Sequence, residues 1–233
     1  MFSLNEEFIT KIINGTLPSF QNINLKTQNL GFGLIYYSFI RVLRPENTVV
    51  VGSKAGFSPI MIATAVKDNE GVGVGKIECY KTSNIDNEKL GKVFFVDPSY
   101  SINRGDNNHW CGIGHWDNED KVNSFWKEYN VEDIVEHYKM TSKSFVEEDY
   151  CPNDIDLVYI DGDHSYEGIQ LDIQLFYPKL KRNGIIILHD VDPMLPMLDP
   201  NTGGFELFSN LSTDMFEKIR IPVFPGLAIL RKK

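Results

Sequence analysis

Cysteine is scarce in this chain, and so is positive charge. The 233 residues include three cysteines, Cys79, Cys111 and Cys151, with no C-x-x-C pair. Neither a disulfide framework nor a finger-type zinc site is indicated, and a reducing compartment is expected. Lysine and arginine number 23 against 32 aspartates and glutamates, a net charge of −9. Such a surface gathers no phosphates and disfavours a nucleic-acid partner. Long apolar runs are missing too. The longest, at 34–43, is interrupted by Arg41 and falls well short of the roughly 20 residues of a membrane span. The first residues carry Glu6 and Glu7 where a secretory signal would be basic, so a cytoplasmic protein is expected. What is present, 42% apolar and 12% aromatic residues, is enough to fill one core.

The chain is organised around residues 154–192. Ile155-Asp156-Leu157-Val158-Tyr159-Ile160 reads as a buried strand that stops at Asp161-Gly162-Asp163-His164. Tyr166, Ile169, Ile173, Phe176 and Leu180 then recur at steps of three and four, as one face of a helix does, and Pro178 with Asn183-Gly184 closes it. Ile185-Ile186-Ile187-Leu188 is a second strand, ending at His189-Asp190. A right-handed crossover makes the two strands parallel neighbours, so Asp161 and Asp190 leave the same sheet edge, about 4.8 Å apart. Carboxylates so placed can share a hard cation or hold a substrate. The plain alternative is two solvated turn aspartates.

Upstream, Phe8, Ile9, Ile12 and Ile13 mark a short helix and residues 30–43 a second one. Together, residues 1–46 form a helical extension, placed to cover the site or to pair two subunits, ahead of a domain at 47–233. Val49-Val50-Val51 is the first core strand. The loop after it, Gly52-Ser53-Lys54-Ala55-Gly56-Phe57-Ser58, is small enough to let backbone approach a ligand, with Ser58 as a helix cap. The strand at 93–96 runs into Asp97, an acid positioned to accept from the two hydroxyls of a ribose, or simply a turn residue. A polar insertion at 68–91 contains a strand candidate at 77–80. The loop at 99–118 holds Arg104, Asp106, His109, Trp110, Cys111, His115 and Trp116 and has the length of a lid or binding loop. Its His109, Cys111 and His115 make only three metal-capable side chains. Asp117 or Asn118 then caps a helix, a strand ends at Met140, and Thr141-Ser142 opens the next helix. Strands at 216–224 and 227–230 meet at Pro225-Gly226, which makes them antiparallel. The whole order predicts a doubly wound α/β sheet.

These residues resemble the class I S-adenosylmethionine-dependent methyltransferases, in the branch with metal-dependent O-methyltransferases of sugars and natural products. The likeness runs over 48–230. It is most specific at Asp161-Gly162-Asp163-His164-Ser165-Tyr166-Glu167-Gly168 and at His189-Asp190. It implies a Rossmann-like, mostly parallel seven-stranded sheet with a C-terminal antiparallel hairpin. It also implies S-adenosylmethionine as cofactor, held by Gly52, Ser53, Gly56, Ser58, Asp97, Ser142 and Asp161, and a small-molecule acceptor. Asp161, His189 and Asp190 are the implied ligands of Mg²⁺ or another divalent cation, and His164 or Asp163 the proton acceptor. Two positions depart from the pattern: Val50 stands where the family commonly has a carboxylate, and the second metal turn is His-Asp rather than two acids.

Two other readings compete. An NAD-dependent oxidoreductase would need G-x-G-x-x-G and an acid about 20 residues on, at a strand end. Here Asp68 and Glu70 fall in the insertion instead. A nucleotide-binding module that keeps the fold without chemistry would fit Val50, but not two retained acidic turns.

Overall fold

The computed structural model describes residues 3–16, 21–24, 26–69, 91–99 and 115–233. The strand candidate at 77–80 and the residues Arg104, Asp106, His109, Trp110 and Cys111 lie outside them. Strands β1 (Asn47–Val51), β2 (Lys92–Val96), β3 (Val135–Tyr138), β4 (Ile155–Ile160) and β5 (Leu180–His189) are parallel. The C-terminal strands β6 (Phe216–Ile221) and β7 (Leu227–Lys232) are antiparallel, β7 pairing with β5 as well. One seven-stranded sheet results, in the order β3-β2-β1-β4-β5-β7-β6. The order reverses between β1 and β4, where an open α/β sheet forms its ligand crevice.

Side-chain alternation along each strand builds two cores. Val50, Phe95, Tyr159 and Ile187 face helices α1 (Glu6–Thr16), α2 (Phe32–Leu43), α3 (Phe57–Lys67) and α4 (Glu119–Glu128). Val49, Val51, Phe94, Val158, Ile160 and Leu188 face α5 (Ser142–Glu147), α6 (Tyr166–Phe176) and, past the short α7 (Leu195–Leu198), α8 (Gly204–Asn210). Helix α3 is apolar all round because the sheet covers one side and α1 and α2 the other: Phe57 through Val66 are all buried. The N-terminal helices therefore share a core with the sheet, through Ile12, Ile13, Phe32, Tyr36 and Ile40. The departure at Val50 also has a reason here, since the residue is 0% exposed in that core, where an added carboxylate would have to give up its hydration.

Several strand ends differ from the sequence reading, among them that of β3, which stops at Tyr138 rather than Met140. β5 begins at Leu180 rather than Ile185, since Leu180 pairs with Ile155 before a register shift that Asn183, at φ 65°, absorbs. β6 stops at Ile221 rather than Phe224, since Pro222 has no N–H to continue the ladder. Residues 222–226 make the connection, and Gly226 at φ 90° packs against the backbone of Val191 and Asp192.

Candidate active site

Four strand ends are tied into a row by three hydrogen bonds that continue the sheet one residue further. Gly52 N–H donates to Val96 O at 2.9 Å, Asp97 N–H to Tyr138 O at 3.1 Å, and Asp161 N–H to Val51 O at 2.9 Å. Gly52 is at φ +73°, and a Cβ there would stand 2.5 Å from Asp161 O. Gly56 is at φ +85°, and its Cβ would meet the Phe125 ring at 2.6 Å. Both glycines are thus required by the close approach of neighbouring protein. Ser58 does not cap the helix as expected. Gly56 is the N-cap of α3, without a side-chain cap bond, while Ser58 lies 1% exposed inside the first turn, its hydroxyl buried without a hydrogen-bond partner among the described residues.

Asp97 is 9% exposed and accepts from the backbone N–H of Ser53 at 3.2 Å and of Ser99 at 2.8 Å. Burial raises its pKa, and these two bonds oppose the rise. Each oxygen keeps a second lone pair for an incoming hydroxyl.

The turns after β4 and β5 meet in one cluster. His164 lies across both carboxylates, with Nε2 3.3 Å from Asp161 Oδ1 and Nδ1 2.8 Å from Asp190 Oδ2. His189 Nδ1 is 3.2 Å from Asp161 Oδ1 and 2.8 Å from Asp190 Oδ1. Neither of these His189 approaches is aligned as a hydrogen bond, and both ring nitrogens and Asp190 Oδ1 are buried without a partner. Asp190 itself is held at φ 58°, a left-handed conformation uncommon for a non-glycine residue and typical of functional turns. Behind the cluster, Tyr159 Oη is 3.1 Å from Asp161 Oδ2 and 3.0 Å from Tyr36 Oη, and Tyr36 donates to Gln21 Oε1 at 2.9 Å. Burial, reinforced by the Asp161 charge, raises both tyrosine pKa values, so their hydroxyls keep their protons.

Burial alone would neutralise all four groups of the cluster, but their mutual attraction prevails. The imidazoles of His189 and His164 hold Asp161 and Asp190 below the usual carboxylate range, and the carboxylates raise both histidines. Two positive and two negative charges balance. A divalent cation brings the same positive charge as the two imidazole protons, so it can replace them without unbalancing the site. One ligand atom each from Asp161, His164 and Asp190 lies within 4.8 Å of the others. The cluster fits a cation in donor type, and the orphaned atoms of His189 and Asp190 point to a missing partner. In this trio His164, expected as a proton acceptor, stands in place of the expected ligand His189.

Asp163, the alternative proton acceptor, is not brought to the cluster. Its Oδ1 accepts from Ser165 N–H at 3.0 Å and its carboxyl group packs on Gly168, as the helix start requires. Ser142 sits at the mouth of the β3 turn, behind the N-cap Thr141. His137 lies 4.7 Å from the Phe95 ring, tilted by 31°, and burial lowers its pKa to about 4, a core histidine kept neutral. Sequence reasoning missed Tyr36, Tyr159 and Asp172. Asp172 was traceable, since it shares the helical face of Ile169, Ile173 and Phe176. The Tyr36–Tyr159 contact joins residues too far apart in sequence to leave a local signal.

Residues 49–191 match the model of the methyltransferase domain family. Among solved structures, an O-methyltransferase from Bacillus cereus in complex with S-adenosylhomocysteine aligns at a TM-score of 0.59 and 14% identity, over 100% of this chain and 94% of that one. TomG from Streptomyces achromogenes, an O-methyltransferase of tomaymycin synthesis in complex with S-adenosylmethionine, aligns at 0.56 and 12%, over 100% and 92%. At these identities the likeness is one of fold. A curated relative, protein R132 of Acanthamoeba polyphaga mimivirus, is 36% identical over 56 residues, 24% of this chain and only 25% of its own length. With the family's model matched from β1 through the turn that carries Asp190, more than half of its length, this chain belongs to the methyltransferase domain family.

Proposed function

We propose that the chain transfers the methyl group of S-adenosylmethionine to a hydroxyl oxygen of a small molecule, a sugar or natural product, with a divalent cation, Mg²⁺ first, held at the two acidic turns. The observation that carries this reading is the Asp161–Asp190 pair, crossed by His164 at 3.3 and 2.8 Å, at the sheet edge that also holds Asp97. Family membership sets the nicotinamide alternative aside, and the two O-methyltransferases described above bind the proposed cofactor and its product.

In this reading Asp97 accepts from the ribose hydroxyls, the Gly52-Ser53 backbone and Gly56 border the methionine end, and Ser142 borders the adenine. An O–CH₃ bond forms as the S–CH₃ bond breaks, S-adenosylhomocysteine leaves, and the hydroxyl proton passes to a base. Most of the protein's work is positioning. Asp161 and Asp190, with His164 or His189, would hold the cation, whose chemistry when bound is to lower the pKa of an acceptor hydroxyl. Carboxylate oxygens favour a hard ion, while the imidazoles also admit Mn²⁺ or Zn²⁺. With the cation replacing the imidazole protons and His189 serving as its ligand, a neutral His164, 22% exposed at its side chain, would be the group of the cluster placed to meet the acceptor's proton. No described helix is long and apolar enough to cross a membrane. The acidic surface and few cysteines support a cytoplasmic setting, and the exposed Leu34, Val42 and Leu43 of the N-terminal region support pairing of two copies.

Calorimetric titration of Mg²⁺ or Mn²⁺ into the wild type, Asp161→Asn and Asp190→Asn tests the cation. Saturable binding by the wild type, weakened at least tenfold in both variants, is expected. Equal behaviour of all three would confine the two aspartates to shaping the pocket.

A further inference from the structure

Helix α6 carries a carboxylate that the proposed chemistry does not use. Asp172 is 4% exposed, on the face that α6 turns toward the sheet with Ile169, Ile173 and Phe176. Its Oδ1 accepts the hydroxyl hydrogen of Ser142 at 2.5 Å. Its Oδ2 receives no hydrogen bond among the described residues and lies 4.0 Å from where a Cβ of Gly162 would stand, beneath the turn that follows β4. No lysine, arginine or histidine among the described residues pairs with it, and the neighbouring charge that acts on it is another carboxylate, Asp163. A buried acid with one neutral donor and an open oxygen is incompletely satisfied.

We propose that Asp172 and Ser142 form an acceptor-only edge in the base pocket, selecting a purine with a 6-amino group over one with a 6-oxo group. The inference rests on the cofactor reading above and adds to it a specificity-determining pair. A serine hydroxyl has one hydrogen and two lone pairs. Because Ser142 gives its hydrogen to Asp172, it can only accept toward the pocket, and Asp172 Oδ2 can only accept as well. The amino group of adenine offers two hydrogens to such an edge, one for each acceptor, whereas hypoxanthine offers only its N1–H and sets a carbonyl, a third acceptor, against the other. A site built to receive a donor rejects the analogue that lacks it, because buried acceptors are then left unpaired. The position suits a base: Ser142 follows β3, Gly162 follows β4, and the ribose acid Asp97 follows the intervening β2.

The test is calorimetry on the full chain with S-adenosylhomocysteine and its 6-oxo analogue S-inosylhomocysteine. The wild type should prefer the adenosyl compound at least tenfold. Asp172→Asn, nearly isosteric and carrying a donor, should narrow that preference at least fivefold, chiefly by binding the inosyl compound better. Ser142→Ala, at a half-exposed helix start that tolerates alanine, should narrow it by weakening the adenosyl compound. Equal losses for both ligands in both variants would make the pair a mere tie between α5 and α6 and overturn the proposal, as would a wild type that binds both ligands alike. A wild type that binds neither would instead overturn the cofactor reading, and this inference with it.

Discussion

Asp172 is 4% exposed in the native fold with a serine hydroxyl as its one hydrogen-bond donor among the described residues. Burial, with the nearby Asp163, raises its pKa to about 6 despite the Ser142 bond. A carboxyl raised in the folded state is a burden above pH 6, where it must ionise in place, and the burden lifts as pH falls through 6 toward its unfolded value near 4. Asp172→Asn should therefore be more stable than the wild type at pH 8, by about 3 kcal/mol from a shift of about two units. The gain should vanish near pH 4. Urea unfolding of both proteins at the two pH values measures this, and a variant less stable at pH 8 would show that the charge supports the fold. Among the other site residues, the Asp-Gly-Asp-His turn shows where sequence reading stops. That acids gather there is legible from the strand and turn pattern. Which of them faces inward is not, because the Ser165 N–H captures Asp163, and that bond depends on where helix α6 begins.

Elements were easier to read than their contacts. The central strands β1, β2 and β4 and the second half of β5 declare themselves by β-branched and aromatic runs, as strands buried on both faces do, whereas β3 and β6 are mixed in sequence. Helices α4, α5 and α6 declare themselves by Asn118, Thr141 and Ser165, each of which accepts a backbone N–H as a cap. The stripes of α1 and α2 tell only that each has an apolar face, not what it covers. The reading of residues 1–46 as an extension separate from the domain is thus a matter of contacts, and α2 lies directly on α3, with the Phe57 ring 2.7 Å from where a Cβ of Gly33 would stand. Ile40 on α2 is as buried as Ile186 on β5, both 0% exposed. Truncating either to alanine should cost roughly 2–5 kcal/mol, the usual range for a buried aliphatic side chain. In guanidinium, Ile40→Ala should shift the whole protein's single unfolding transition. A separate early transition limited to the N-terminal helices would contradict a shared core.

At the scale of the molecule, the parallel sheet brings residues from distant parts of the sequence to one edge. Gly52, Asp97, Asp161 and Asp190 leave β1, β2, β4 and β5 at the same end, beside the point where strand order reverses. With net charge −9, the surface offers little long-range attraction to an anionic partner, and a cofactor whose sulfonium carries positive charge is the better match. The most direct measurement is calorimetric titration of the full chain with S-adenosylhomocysteine, with NAD as the control and Asp97→Ala as the variant. The account predicts saturable binding of S-adenosylhomocysteine, none of NAD, and an affinity loss in Asp97→Ala of about 1–3 kcal/mol, the scale of hydrogen bonds to a charged group. Failure of the wild type to bind S-adenosylhomocysteine, or binding that Asp97→Ala leaves unchanged, would contradict it.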